Sequence, residues 1–566
     1  MADGHLRAVS PEATPGPGSW QQQWTAVSPM WRPTVYPVNE TPFDEVFTRP
    51  GPQSFRAAHY DFRPTGPTRL GQEIAWWIHT CWREGLRKID PPLLKAYTNA
   101  LGAMTTTRTE LTGHAPRSLT DFEPALIARH ASQMFTVRNR RAPSAGWVRN
   151  FTSLAEHVHL FVSVRCSERP WFEHDTWDLR IDARIPRREH EPAHDTPVRL
   201  GVVEPDWLRE GLRYWLRITL AADIYTWTSV VTRSVQLGAY FGRFAAHTGL
   251  AHPAITTDPV RLRPMFVDFL AYLRSPQAGR RGERLSHVVI NSVQSQLQAF
   301  YTFMFDNAAE AAAVTGDPRW RELTVAHTRL FGPQHRSRRA GNSQAPRWIG
   351  TIDLQRMVCC LEVLGAQSGT PVTVTLPGGG QVTATGKGDE QAMRVWLLQA
   401  MTGRRASEIL MLDFEPLESI PGLEVQDAAE DAFVARLRYQ QTKIDAVEPT
   451  ILVEQAVVNI IREQQSWVRA KFPEAEPRYL FLNPRHNHKG LRARTYRSYL
   501  DALRRLDRDL ALTDAQGQPL RFSLTHRLRH TRATELLNAG VPVHVVQRYL
   551  GHRSPEMTMR YASTLA

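Results

Sequence analysis

A chain of 566 residues is too long for one core, and its length points to three or four domains. With 42% hydrophobic and 22% charged residues it reads as an ordinary soluble protein, and the absence of any run of 18 or more apolar residues excludes a helical membrane span. The net charge of +13 and pI near 9.8 point to a polyanionic partner, nucleic acid first.

The opening stretch, MADGHLRAVSPEATPGPGSW, lacks the apolar centre of a signal peptide, which places the chain in the cytoplasm. Residues 1–67 are Pro-rich and aperiodic and read as an irregular arm. Residues 68–204 then read as a helical N-terminal domain. EIAWWIHTCWREGL and PPLLKAYTNALGAM come first, the Pro pair suiting a helix start; FEPALIARHASQMF and WVRNFTSLAEHVHLFVSV follow. RIPRREHEPAHDTP interrupts the pattern as a charged loop. A second helical block, 205–331, holds WLREGLRYWLRITLAA, RLRPMFVDFLAYLR and SHVVINSVQSQLQAFYTFMF. The tryptophans fall mostly on apolar helical faces and are expected in cores.

GPQHRSRRAGNSQAPR, residues 332–347, is a basic linker whose Arg336, Arg338 and Arg339 are candidate DNA contacts. Beyond it, over 348–566, the texture becomes mixed. TIDLQRMVCCLEVLGA is helical, PVTVTLPGGGQVTATG reads as a hairpin turning on its glycines, and DEQAMRVWLLQAMTGRRASEILML returns to helix. FVARLRYQQTKID and PTILVE read as strands, and helices close the chain. The fold class expected is therefore multidomain: mainly α domains followed by an α+β domain.

The four cysteines (81, 166, 359 and 360) have no metal-type spacing, and the adjacent Cys359 and Cys360, in the apolar helical pattern RMVCCLEVL, read as buried thiols. His486 and His488, in NPRHNHKG, have no nearby Cys or carboxylate and read as a solvated loop. LPGGGQVT lacks the GK[ST] of a P-loop.

The chemistry gathers toward the end, in SLTHRLRHTRATELLNAGVPVHVVQRYLGHRSPEMTMRYA. Ser523 or Thr525 is placed to cap a helix that Gly540 ends, and His526 and Arg529, at i and i+3, share one face. Pro542 opens the next helix. Ser554 caps a third, with Tyr561 about two turns in. Upstream, TGRRASE puts Arg405 at a helix start and QTK puts Lys443 at a strand end.

The ordered set Arg405, Lys443, His526, Arg529, His552 and Tyr561 resembles the tyrosine recombinase (phage integrase) family over roughly residues 345–566, and the long N-terminal half is more like the large transposon-encoded type. The resemblance implies that Tyr561 attacks a DNA phosphate. Arg405, Arg529 and His552 would then bind its oxygens, His526 would take the phenol proton, and Lys443 would protonate the leaving 5′ oxygen. That a chain with only six lysines places one here suits a general acid, since arginine does not release its proton. Arg404, beside the catalytic position of TG-x-R-x-SE, is expected at a phosphate or at the surface, with Glu408 orienting its basic neighbours.

The implied activity is site-specific recombination of double-stranded DNA by a homotetramer through a 3′-phosphotyrosine and a Holliday junction, with accessory proteins as further partners. The bacterial nucleoid is the expected place of action. Neither metal, ATP nor other cofactor is expected, because the phosphotyrosine stores the bond energy. The alternatives are a type IB topoisomerase, which changes supercoiling without joining sites, and a catalytically silent DNA-binding regulator. Many family members carry a helix after the tyrosine that docks on a neighbour; five residues follow Tyr561 here, so either the subunits couple through other surfaces, such as the N-terminal half, or the chain has been shortened.

Overall fold

A computed structural model describes residues 20–48, 59–188, 191, 196–248, 258–279, 284–337, 348–420, 433–440, 449–473, 475–484, 487 and 489–551. The chain divides into two compact units, the first made of residues 1–188 and 195–339 and the second of residues 189–194 and 340–566. Among the described residues no helix is long and apolar enough to cross a membrane.

The first unit is mainly helical. After α1 (Trp20–Thr25) come two short strands, β1 (Val35–Pro37) and β2 (His59–Asp61), which pair antiparallel. Four longer helices follow: α2 (Thr68–Glu84), α3 (Pro91–Thr112), α4 (Pro124–Asn139) and α5 (Ala145–Arg165). The starts of α3 and α5 are fixed locally, Asp90 accepting a hydrogen bond from Leu93 N and Ser144 one from Trp147 N. These elements share one apolar cluster. Its members include Trp76 and Trp77 of α2, Tyr97 and Leu101 of α3, and Phe151 and Phe161 of α5.

Trp31, Tyr36, Phe43 and Phe62 belong to the same cluster, so the segment expected as an irregular arm contributes these side chains to the core. Its aromatic rings bury from turns and short strands, with Tyr36 Oη donating to Trp31 O at 2.7 Å, and such burial leaves no helical or strand period in the sequence.

A second cluster in this unit is built from α6 (Asp206–Ala221), α7 (Trp227–Arg233), a π-helical run (Ser234–Phe241) into α8 (Gly242–Thr248), α9 (Pro259–Arg274), α10 (His287–Asp306) and α11 (Ala308–Thr315). A short two-stranded pair, β3 (Thr176–Trp177) and β4 (Val198–Arg199), adds Trp177 and Val198 to it. The unit ends in an anchored turn: Asn291 of α10 exchanges two hydrogen bonds with the Ser337 backbone, at 2.8 and 2.9 Å. Arg336, just before it, is exposed; Arg338 and Arg339 lie outside the described residues.

The second unit mixes helices with small sheets. α12 (Thr351–Gly365) precedes the hairpin of β5 (Pro371–Thr375) and β6 (Gln381–Thr385). The hairpin turns on Gly378 and Gly379, at φ of 97° and 91°, a region nearly closed to other residues. α13 (Glu390–Thr402) and α14 (Ala406–Leu410) follow; the stretch expected as one helix breaks at Gly403. β7 (Leu417–Ser419), β8 (Phe433–Arg438) and β9 (Thr450–Glu454) form an antiparallel sheet in the order β7-β8-β9.

The remaining helices are α15 (Gln455–Lys471), α16 (Tyr496–Leu510), α17 (His526–Asn538) and α18 (Val543–Leu550). α13 runs through the core of this unit: Val395, Trp396 and Leu398 are fully buried beside Phe481, Leu503 and Leu528.

Candidate active site

α13 is aimed by its cap. The Asp389 carboxylate accepts from Ala392 N at 3.1 Å and grips Arg494 with both oxygens, at 2.7 Å each. The Arg494 side chain is fully buried, a paired charge of the kind interiors tolerate. Burial alone raises the Asp389 pKa, but the Arg494 guanidinium outweighs it and holds the carboxyl below its ordinary value.

At its far end α13 stops on Gly403, at φ 64°. A side chain here would be strained, and its Cβ would lie 3.2 Å from Arg532 Cβ and 3.4 Å from Leu550 Cδ2. The glycine thus permits the sharp turn that presents Arg404 and Arg405 just before α14.

The two adjacent arginines go opposite ways. Arg405 keeps about a quarter of its side chain exposed. Glu408, at 5% exposure, accepts Arg405 N at 2.8 Å and Arg405 Nη1 at 2.5 Å, capping α14 and fixing the guanidinium together. Arg405 Nε and Nη2 make no hydrogen bond to described residues and remain as donors for an anion.

Arg404 is 1% exposed. It donates Nη1 to the Tyr439 hydroxyl, Nη2 to Tyr549 O and Nε to Thr402 O at 3.4 Å. Its guanidinium carbon lies 4.6 and 5.0 Å from the ring centroids of Tyr439 and Tyr549. The expectation of a phosphate contact or surface charge gives way to an interior cation: two aromatic faces and three oxygens compensate it, and no described carboxylate pairs with it.

Arg529 draws the motifs together. Only 2% exposed on the first turn of α17, it donates Nη1 to Gly403 O at 3.1 Å and Nη2 to Leu550 O. Gly403 lies two residues before Arg405, and Leu550 two before His552. One guanidinium therefore joins the turn carrying Arg405, the helix carrying His526 and the end of α18.

His526, the first residue of α17, is exposed and stacks on His530 with centroids 4.8 Å apart. Burial first, then the positive neighbours His526, Arg529 and Arg527, push the His530 pKa down to about 4, so this ring is neutral at physiological pH. Neither Ser523 nor Thr525 caps α17 through its side chain. Asp507 of α16 instead accepts Phe522 N at 2.6 Å and Ser523 N at 3.2 Å and ties down the approach. Gly540, at φ 80°, follows the end of α17 as its position suggests.

Lys443, His552 and Tyr561 lie outside the described residues, as do His486 and His488. The described chain stops close to the first two. Tyr439, four residues before Lys443, and Tyr549, three before His552, are the two residues that Arg404 bridges. Neither tyrosine is visible to motif reading, because each matters through a partner far away in sequence. Among the described residues no group of three or more His, Cys, Asp or Glu is arranged to hold a metal ion.

Residues 387–566 match the family model described as the phage integrase family. Transposase B from transposon Tn554 of Staphylococcus aureus is 35% identical over 160 residues, covering 28% of this chain and 22% of that protein. Transposase B from transposon PsiTn554 of the same species is 38% identical over 126 residues, covering 22% of this chain and 19% of its own length. The chain thus spans about a fifth of the length of these curated relatives.

Among solved structures, the XerH site-specific recombinase bound to a palindromic difH substrate aligns with 14% identity and a TM-score of 0.38, covering 65% of this chain and 88% of that one. The Tn1549 transposon integrase in complex with circular intermediate DNA aligns with 15% identity and a TM-score of 0.35, covering 62% and 94%.

Proposed function

We propose that this chain, which carries a tyrosine recombinase domain of the phage integrase family over residues 387–566, is a site-specific DNA recombinase of the transposon-encoded type. The observation that supports it best is the Arg529 clasp, which gathers the Arg405 turn, the HRLR helix and the LG of LGH around one point. A scissile phosphate at that point would meet the Nε and Nη2 donors of Arg405.

In the first step the Tyr561 oxygen bonds to phosphorus and the bond from phosphorus to the 5′ oxygen breaks. The phenol proton passes to His526, and Lys443 protonates the departing 5′ oxygen. Arg405, Arg529 and His552 stabilise the charge that grows on the non-bridging oxygens. A 3′-phosphotyrosine results, which a 5′ hydroxyl from the second DNA site reverses by the same path. Because the bond energy stays in the phosphotyrosine, neither ATP nor metal enters the balance. Phosphate contacts from the helical segment 205–331 and from the catalytic segment 348–566 would each supply affinity for duplex DNA, and four protomers would act in pairs through a Holliday junction.

The test is a duplex of transposon-end sequence nicked just 3′ of the scissile phosphate, so that the cleaved fragment diffuses away. Wild type is expected to form a slowly migrating covalent adduct on a denaturing gel, and Tyr561→Phe none. Tight binding of the duplex with no adduct from wild type would sink the reading in favour of a silent DNA-binding regulator.

A further inference from the structure

The helical hairpin of α4 and α5 carries charge of one sign. Between Pro124 and Ala155 the sequence holds five arginines, at 129, 138, 140, 141 and 149, and no aspartate or glutamate. All five are exposed, and none makes an ion pair or hydrogen bond among the described residues. Several other arginines of the same unit are tied to carboxylates: Arg165 to Glu84 at 2.7 Å, Arg180 to Asp178 at 2.6 Å, Arg184 to Asp182 at 2.8 Å and Arg213 to Asp175 at 2.6 Å. Packing does not account for these five arginines, since the inner face of the hairpin is apolar, with Ile127, Ala131, Phe151 and Leu154 buried.

The turn between the helices is firmly held. Trp147 lies 5.0 Å from both Phe135 and Phe151, centroid to centroid, and Ser144 caps α5. Arg140, immediately after α4, sits at φ 54° and ψ 26°. This left-handed position ordinarily goes to glycine, which adopts it without the Cβ penalty. The chain has an arginine where glycine would be more stable, on a turn already crowded with positive charge. Strain of this kind points to a role that stability does not explain.

We infer that the α4–α5 turn is a phosphate-contacting surface for duplex DNA, carried by Arg138, Arg140, Arg141 and Arg149 and separate from the contacts of the catalytic unit. The inference rests on the recombinase reading above, which makes duplex DNA the polyanion at hand, and it gives the first unit a share in holding it. Guanidinium forks suit phosphate oxygens, and such contacts add affinity without sequence preference.

The test measures binding of the full chain to a fluorescein-labelled random-sequence duplex of about 40 base pairs, between about 50 and 200 mM salt. Combining Arg138→Gln, Arg140→Gln, Arg141→Gln and Arg149→Gln is expected to reduce the slope of log affinity against log salt by about 3 to 4, at roughly 0.9 per lost phosphate contact. Arg140→Gly separates charge from folding: it should raise the melting temperature by roughly 2–4 °C and still lower the slope by about one. An unchanged slope in the fourfold variant, with wild type forming the Tyr561 adduct, overturns the inference alone and leaves an acidic protein surface as the partner of this turn. Wild type that neither binds the duplex nor forms the adduct overturns both readings.

Discussion

Replacing Arg404 by methionine tests whether an interior cation holds the catalytic parts in place. The guanidinium binds the Tyr439 hydroxyl, Tyr549 O and Thr402 O, and it packs on the rings of Tyr439 and Tyr549. Hydrogen bonds from a charged donor contribute about 1.5–3 kcal/mol each. Burying a guanidinium with no carboxylate partner costs several kcal/mol in return, so the net gain from the native contacts is small. Methionine fills much of the volume and removes the buried charge but takes away the charged donor that Tyr439 Oη and Tyr549 O accept from, at about 1–3 kcal/mol for each hydrogen bond lost. Arg404→Met should therefore lose about 2–4 kcal/mol of stability.

The effect on catalysis should be larger than that suggests. Tyr439 and Tyr549 stand just before Lys443 and His552, and a displacement of roughly 1 Å in a reacting group is enough to lose about 10²-fold in rate. The assay is single-turnover cleavage of the nicked duplex at saturating protein, beside a salt titration of binding. Arg404→Met is expected to cleave about 10²-fold more slowly with an unchanged salt slope. Arg404→Lys keeps the charge but lacks the fork that reaches both tyrosines, and it should recover only part of the rate. A salt slope reduced by about 0.9 would show that Arg404 touches phosphate after all, and wild-type cleavage by Arg404→Met would show that it positions nothing.

Two further outcomes follow from the same unit. Asp389→Asn leaves the buried Arg494 without its partner and should cost about 3–5 kcal/mol at neutral pH. Because the native Asp389 pKa is depressed, its contribution is complete above the ordinary carboxylate pKa of about 4 and is lost as pH falls through the native value. Melting curves from pH 7 down to pH 3 should therefore show the gap between wild type and variant begin to narrow below about pH 4, and a gap as wide at pH 3 as at pH 7 would refute the account. Gly403→Ala forces a Cβ into a left-handed turn against Arg532 and Leu550; it should cost about 1–2 kcal/mol and slow cleavage, and a variant that melts and cleaves like wild type would mean the turn is not under constraint.

The turn that presents Arg405 in the candidate site could be read from the chain because its geometry is local. TGRRASE carries its own turn glycine and its own carboxylate, and the structure puts both to use, Gly403 at φ 64° and Glu408 on Arg405. The helices and the Gly378–Gly379 hairpin were legible for the same reason, since periodicity, caps and left-handed glycines act within a few residues. Other features depend on distant partners and left no such mark. Side-chain caps were expected at Ser523 or Thr525, whereas the carboxylate that ties down this approach sits on Asp507, a helix away.

By itself the sequence determined which residues are candidates for the chemistry and the order in which they come, because residue type and short spacings set hydrogen-bonding capacity and turn geometry. Tertiary structure alone decided which way each side chain faces. Arg404 and Arg405 are neighbours of identical chemistry, yet one is sealed between two tyrosines 35 and 145 residues away and the other is left with donors to spare. Likewise, nothing within the aperiodic segment around Trp31 and Tyr36 announced that it would be buried against α2 and α3. Packing between segments far apart in the chain makes these choices, since burial depends on what arrives from elsewhere, and no local pattern records it.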